Sequence, residues 1–459
     1  MDHPPALPHV RTPLFLATRR PRMALSPRLV GMWVNWSGGQ QANPRRTDRP
    51  LDEAGVVAAV QRAAERGTRV RPVGAGLSGS PLVVTDDVHL DCSALTGVVS
   101  LDGDRVRVRA GTSLAALLGH LAGRGRTLTV IPDVLAASVG GAVGTGTHGG
   151  SVATGSLSAQ VTGVRLVDGL GALRALDAES PELDAVRTGL GALGVLTEVE
   201  LRTVPLAELA VREELRPLDA ALADGTLDAH AWAALEVHVP SGEAVVRRGD
   251  PVGADDRAAA EELAAPANPV LAAASGSAEA LGRVVSWLAP APWPGSRPAW
   301  KPSSRWDGGL AIGDPHVVLP DPRPWRGEIT EWAIPRDALR AALRELGAAT
   351  SARGLELRRP VDVRVGPAET GWLHPAQGRA TAWIAVRSPR GTDHQPLFGL
   401  VAAVLEDLEG RPHWAGRHDW TVAELERTYP RLPDFLDVRN SLDPGRRFTN
   451  DHLDTLLGP

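Results

Sequence analysis

Two glycine-rich segments carry the first chemical signal in this chain: Val73-Gly74-Ala75-Gly76-Leu77-Ser78-Gly79, and the longer Ser138-Val139-Gly140-Gly141-Ala142-Val143-Gly144-Thr145-Gly146-Thr147-His148-Gly149-Gly150. Glycine lets backbone N–H groups approach a diphosphate closely, and the hydroxyls of Ser78, Thr145 and Thr147 can donate to its oxygens. The first segment satisfies G-x-G-x-x-G after a strand pattern, which raises a nicotinamide dinucleotide site. Such a site needs a helix next. Here Pro81 and then Leu82-Val83-Val84-Thr85 follow, a run that disfavours helix and offers no N-terminal dipole to a pyrophosphate. A turn joining two strands would account for the first segment alone, but no ordinary turn requires the second. Together they point to one extended ligand lying between them. Asp362-Val363-Arg364 is the third signal: on a strand of period two, the acid and the guanidinium share a face. The plain alternative is an exposed ion pair of little energetic weight.

These residues need elements to position them, and the periodicities supply a set. Asp48, Pro50 and Asp52 open an amphipathic helix through Ala64, and a short strand follows over Arg69–Val73. Val88–Asp91 and Arg105–Val108 alternate as strands, while Ser113 caps a helix with Leu114, Leu117, Leu118 and Leu121 on one face. A strand near Val161–Val167 and a helix-then-strand over Leu183–Val204 close a first unit. Beyond residues 206–325, which give little signal, helices are expected over Arg336–Leu346 and Leu397–Leu408, with strands near Val361–Val365 and Thr381–Arg387. Two short helices are expected between Val422 and Asn450. Residues 1–34, with prolines at 4, 5, 8, 13, 21 and 27, read as a flexible extension.

With these motifs in place, the chain resembles the flavin-binding enzymes of the vanillyl-alcohol-oxidase type. The paired glycine segments and Gly191-Ala192-Leu193-Gly194-Val195 carry that likeness. The run Gly410-Arg411-Pro412-His413-Trp414, the segment Tyr429–Phe435 and Leu442–Asn450 are similar to the aldonolactone and alditol oxidases (the D-arabinono-1,4-lactone oxidase family). The resemblance implies an α+β, two-domain flavoprotein: a PCMH-type FAD-binding domain over 35–205, a substrate or cap domain built on an antiparallel sheet over 206–430, and a C-terminal segment, 431–459, returning to the flavin site. It implies that FAD is held by Pro72, Val73, Gly74, Ala75, Gly76, Leu77 and Ser78 from the first segment. Pro132, Asp133, Ser138, Gly141, Gly144, Thr145, Gly146, Thr147, His148 and Gly149 join them, with Val195 and His413 from later in the chain. His148 is expected to brace its loop rather than titrate.

Asp362 and Arg364 match the family's acid and arginine over the flavin and are the expected catalytic pair. Asp133, Arg387, Arg417 and His418 are the expected substrate contacts. Three departures from the family stand out. Leu77 occupies the place of the histidine that usually carries the covalent flavin bond, so FAD is expected to be noncovalent. Cys92, assigned to a strand outside the loops, offers no substitute. Gly416 stands where the family has a lysine reaching the substrate, so the pocket has been rewritten. Pro132 matches the position beside the flavin edge where glycine or proline accompanies oxidases.

Composition narrows the partners. A chain of 459 residues with 43% hydrophobic and 22% charged side chains is globular. Its net charge of −5 excludes a basic footprint for nucleic acid. One cysteine excludes an intrachain disulfide and multi-cysteine metal sites, no metal site is expected, and a reducing cytoplasmic location fits. No apolar run is long enough to span a membrane. The expected activity is FAD-dependent oxidation of a CH–OH group on a sugar-derived lactone, polyol or related small hydroxylated metabolite, with O2 as acceptor. The alternatives are a flavin-fold binding protein without turnover, and a dehydrogenase using another acceptor.

Overall fold

The computed structural model describes residues 32–223, 225–264, 309–320 and 326–459. Nearly all of the expected N-terminal extension lies outside these residues. Asp52 caps the helix Glu53–Glu65 by accepting from the Gly55 N–H, and Val56, Ala59, Val60 and Ala63 form its buried stripe. That stripe packs on a small parallel sheet in the order Arg46–Asp48, Val88–Asp91, Val70–Val73. A five-stranded antiparallel sheet lies beside it, ordered Leu173–Leu176, Val161–Val167, Val195–Arg202, Arg105–Arg109, Val98–Asp102. Ser113 caps the helix Leu114–Ala122, whose four leucines are buried as the periodicity required.

The second glycine segment is not a loop throughout. Ser138 accepts from the Gly141 N–H and starts a helix, Val139–Thr145, that ends in Gly146 at φ 77°. The cap and the small side chains outweigh the poor helix propensity of three glycines. A left-handed residue must end the turn, and at Gly146 a Cβ would also sit 2.9 Å from the His374 ring.

The remainder builds an eight-stranded antiparallel sheet. Its order is Leu310–Gly313, Leu209–Pro217, Glu243–Pro251, Trp232–His238, Val361–Gly366, Thr381–Pro389, Gly327–Pro335, Arg411–Pro412. Four of these strands come from the stretch that the sequence left unassigned. Leu339–Ala352 and Gln395–Glu406 pack against each other, with Leu339, Leu343, Leu346, Leu397 and Leu405 buried in the main core. The opposite face carries the alternate residues Ile329, Glu331, Asp362, Arg364, Ala385 and Arg387 into a cavity.

Three helices close the chain, Val422–Thr428, Leu432–Leu442 and Asp451–Leu457, the last of them beyond the two expected. Between the last two, the chain runs back along the first unit. The Arg447 carbonyl accepts from the Val70 N–H at 2.7 Å, Phe448 is fully buried in the first unit's core, and Asn450 Nδ2 donates to the carbonyls of Pro81, Leu82 and Val84. None of residues 431–459 lines the cavity, so their contact with the cofactor region is indirect. No helix among the described residues is long and apolar enough to cross a membrane.

Candidate active site

The cavity lies between the two glycine segments and the large sheet and measures about 1350 Å³. That exceeds the roughly 300–1,000 Å³ of a site for one small ligand and leaves room for a dinucleotide together with a substrate. The two glycine segments touch: a Cβ on Gly74 would lie 2.1 Å from the Ser138 Oγ. Only glycine allows the first loop to seat on the cap of the helix.

The floor of the first loop is fixed by Arg71, which is fully buried. Its guanidinium donates to the carbonyls of Leu82, Leu190, Gly191 and Phe448 at 2.6–2.9 Å. Burial, with Arg439 nearby, lowers its pKa to about 9. Asn35 and Gln40 hold the other side of the loop by donating to the Ser78 and Gly79 carbonyls. Between these anchors the small residues Gly74, Ala75, Gly76 and Ser78 line the cavity, a surface that fits the diphosphate of FAD.

Pro72 to Ser78 all line the cavity, as do Pro132, Asp133, Ser138, Gly141 and Gly144. Thr145, Thr147, His148, Gly149 and His413 line it too. Val195 does not, being sealed in the core with Val167 and Phe448. Gly146 also stays outside it; its carbonyl faces His413 Nε2 at 3.4 Å.

The sheet wall carries two neighbouring ion pairs. Arg364 Nη2 donates to Asp133 Oδ2 at 2.7 Å, and its guanidinium lies 5.6 Å from the centre of the Trp232 ring. Arg387 Nη1 stands 2.9 Å from Asp362 Oδ2, yet that oxygen is buried and receives no aligned hydrogen bond among the described residues. Burial pushes the Asp362 carboxyl up to about 6, against the pull of Arg387 and Arg364 and with help from Glu236 and Asp133. Asp133, Asp362, Arg364 and Arg387 therefore meet as one cluster, although the ion pairs join Arg364 to Asp133 and Arg387 to Asp362 and do not join Asp362 to Arg364.

Arg417 and His418 do not. Arg417 follows a turn closed by the Gly416 N–H on the His413 carbonyl; it pairs with Glu328 at 2.6 Å and donates to the Gly39 carbonyl. His418 is packed between Trp414 and His452, where burial and His452 lower its pKa to about 3. Both lie outside the cavity lining and brace the wall behind it. Cys92 is displaced the other way. It starts a 3-10 turn and its residue lines the cavity, but burial and Asp91 push the thiol up to about 12, leaving it protonated and unreactive.

Sequence reasoning missed Glu331 and Trp232. Glu331 approaches His148 Nε2 at 3.3 Å and His413 Nδ1 at 3.7 Å, and their donor atoms lie within 4.8 Å of one another, a spacing that a divalent cation can bridge. Burial pushes the Glu331 carboxyl up, but His148 and His413 outweigh it and hold the group well below its ordinary range. His148 thus contacts Glu331 on one side and stacks on Trp383 at 3.9 Å on the other. The alternation Ile329, Glu331 on a strand ending in Pro335 was the available signal. Trp232 lines the cavity, and its Nε1 is buried with no hydrogen-bond partner among the described residues.

This fold and this site define an FAD-dependent oxidoreductase, and comparison with known proteins agrees. Residues 44–177 match the FAD binding domain family, and residues 199–456 match the family described as D-arabinono-1,4-lactone oxidase. The chain belongs to the D-arabinono-1,4-lactone oxidase family. It is 33% identical over 439 residues to the L-gulono-1,4-lactone dehydrogenase of Mycobacterium tuberculosis, covering 93% of this chain and 99% of that one. It is 27% identical over 443 residues to the L-gulonolactone oxidase of Mus musculus, covering 92% and 97%. Among solved structures, cholesterol oxidase from Brevibacterium sterolicum shares the fold with a TM-score of 0.71 at 18% identity, covering 93% of this chain and 96% of that one.

Proposed function

We propose that this chain oxidises a CH–OH carbon of a sugar-derived lactone, polyol or related hydroxylated metabolite, with Asp362 and Arg364 as its catalytic pair. The observation that carries the reading is the buried Asp362 oxygen without an aligned hydrogen bond, beside Arg364 and across the cavity from the glycine segments. FAD, when bound, supplies the two-electron acceptor that no side chain here provides. Asp362 takes the hydroxyl proton: with a pKa of about 6, the carboxylate is ionised at neutral pH and still basic enough to matter. Arg364, fixed by Asp133 and Trp232, offers a planar fork to two substrate oxygens. Arg387 holds Asp362 in place. Leu77 offers no nucleophile and Cys92 is protonated, so the cofactor is held noncovalently by the glycine segments.

Anaerobic addition of polyols and aldonolactones to the purified yellow protein should bleach the flavin absorbance. A yellow protein bleached by nothing supports ligand binding without turnover. A colourless protein that FAD cannot reconstitute overturns both readings.

We take O2 as the acceptor, giving H2O2, because Pro132 lines the cavity where the family places a small or rigid residue in oxidases. The second reading is a dehydrogenase, favoured by the name of the Mycobacterium relative. Reduced enzyme that persists in air but is quickly reoxidised by a quinone dye decides for it. A cytoplasmic location is proposed with the single cysteine as its support.

A further inference from the structure

Glu331, at the middle of the strand Gly327–Pro335, lies between two histidines from distant parts of the chain. His148 comes from the second glycine segment. His413 follows the short strand Arg411–Pro412, where its N–H donates to the Glu331 carbonyl at 2.8 Å. His148 Nε2 stands 3.3 Å from Glu331 Oε1, and His413 Nδ1 stands 3.7 Å from Oε2. All three residues line the cavity that also holds Asp362 and Arg364.

The far nitrogen of each ring fixes which atom faces the carboxylate. His148 Nδ1 lies 3.0 Å from the Gly149 carbonyl, and His413 Nε2 lies 3.4 Å from the Gly146 carbonyl. A carbonyl only accepts, so both far nitrogens carry hydrogen. His413 Nδ1 in turn accepts from the Ala415 N–H at 3.2 Å, so it presents a lone pair, and not a proton, toward Glu331. An ionised carboxylate is acceptor-only as well. Two acceptors so placed repel unless a cation lies between them. A proton on His148 Nε2 answers one of the two contacts and leaves the other, whereas an ion among the three groups answers both. Imidazoles whose outer N–H donates to a carbonyl while the inner nitrogen faces a carboxylate are arranged as metal ligands are. Trp383 holds the pair in place, stacking on His148 at 3.9 Å and meeting His413 edge-on at 5.8 Å.

We propose that Glu331, His148 and His413 bind one divalent transition ion of the zinc type. Two imidazoles with one carboxylate are the protein ligands of several open zinc sites, whereas calcium and magnesium call for oxygen donors throughout. In a tetrahedral zinc shell neighbouring donor atoms lie about 3.4 Å apart. Both contacts of Glu331 are close to that spacing. All three donors lie within 4.8 Å of one another, so the two nitrogens need approach by no more than about 1.4 Å. The fourth position opens on the cavity, where water or a ligand oxygen completes the shell. The single cysteine excludes only multi-cysteine sites, and these donors are nitrogen and oxygen. The site stands apart from the assignment of Asp362 and Arg364 as the oxidising pair.

The test uses the FAD-loaded protein, purified without a histidine tag. After chelation and dialysis, zinc titrated against a chromophoric chelator should bind at about one equivalent per chain. Cobalt(II) in its place should add d–d absorption at wavelengths beyond the flavin bands. Glu331→Gln and His413→Ala should each weaken zinc binding at least about tenfold, while His120→Ala, on the helix Leu114–Ala122 outside the cavity, should not. Zinc should raise the melting temperature of the wild type and leave that of Glu331→Gln unmoved. The amide keeps the shape of the carboxylate, so a variant that folds and holds FAD isolates the lost ligand. Where neither variant folds, the cobalt spectrum and melting shift of the wild type decide.

A wild-type holoenzyme that binds no zinc at micromolar concentrations overturns the proposal, as does binding that both variants leave unchanged. In either case the cluster is an ion pair alone. Zinc binding by the apoprotein that FAD abolishes sets the flavin against these groups in place of a metal, and overturns it too. Each of these results leaves the reading of Asp362 and Arg364 untouched, because that reading rests on bleaching of the flavin by substrate.

Discussion

Replacing Asp362 with asparagine should make the protein more stable and nearly inactive, and the size of the first effect follows from burial. The carboxyl is raised from 3.8 to about 6, chiefly by burial. A group whose folded pKa is raised contributes full stability below its unfolded value and loses it as pH climbs through its folded value. The penalty for ionised Asp362 is therefore small near pH 4 and reaches about 3 kcal/mol by pH 8. Between pH 5 and pH 8 it grows by about 1.4 kcal/mol, roughly tenfold in the folding equilibrium. Asparagine stays neutral throughout. Asp362→Asn should thus match the wild type most closely in acid and outlast it progressively toward pH 8, measured as denaturant midpoints of the FAD-loaded proteins. In the same variant, anaerobic flavin reduction should fall by about 100-fold or more, the usual worth of a positioned base. Wild-type reduction should rise with pH around an apparent pKa near 6, since the base must be ionised. A variant that reduces flavin within a few-fold of wild type, or whose stability advantage does not grow with pH, refutes the assignment of Asp362 as a buried base.

Arg364→Met should keep the flavin spectrum and lose about 100-fold or more in reduction rate, because the guanidinium orients the reacting carbon; lost flavin or insolubility points instead to a structural role. Gly74→Ala pushes the Ser138 hydroxyl off the Gly141 N–H, so titration of the apoprotein should show weaker FAD binding, and the melting curve should reflect a lost cap of about 1 kcal/mol. Acid precipitation should leave a yellow supernatant over a colourless pellet, and Leu77→His should acquire a covalent flavin if residue 77 faces the ring. Fluorescence that stays with the denatured wild-type chain on a gel rules out noncovalent binding.

The glycine segments were legible because glycine at such density has few other uses, and Asp362 with Arg364 because a period of two fixes which side chains share a face. The helix inside the second segment was less so, since its glycines argue against helix and only the Ser138 cap argues for it. Arg417 and His418 were misplaced for a related reason. They follow a turn after the short strand Arg411–Pro412, where spacing no longer sets direction, and Glu328 captures the arginine. Glu331 and Trp232 depend on partners far along the chain: His148 and His413 for one, the cavity itself for the other. No local pattern encodes such meetings. The unassigned strands Leu209–Pro217, Trp232–His238 and Glu243–Pro251 belong to a sheet whose order interleaves distant segments, so their pairing shows only once the sheet is assembled.

The four carbonyls held by Arg71 come from widely separated parts of the chain, and one of them belongs to Phe448. The floor of the cofactor loop is therefore complete only when the segment around Phe448 has docked on the first unit. Loop and segment are thereby joined in one cooperative unit, so that loosening either one should loosen the other.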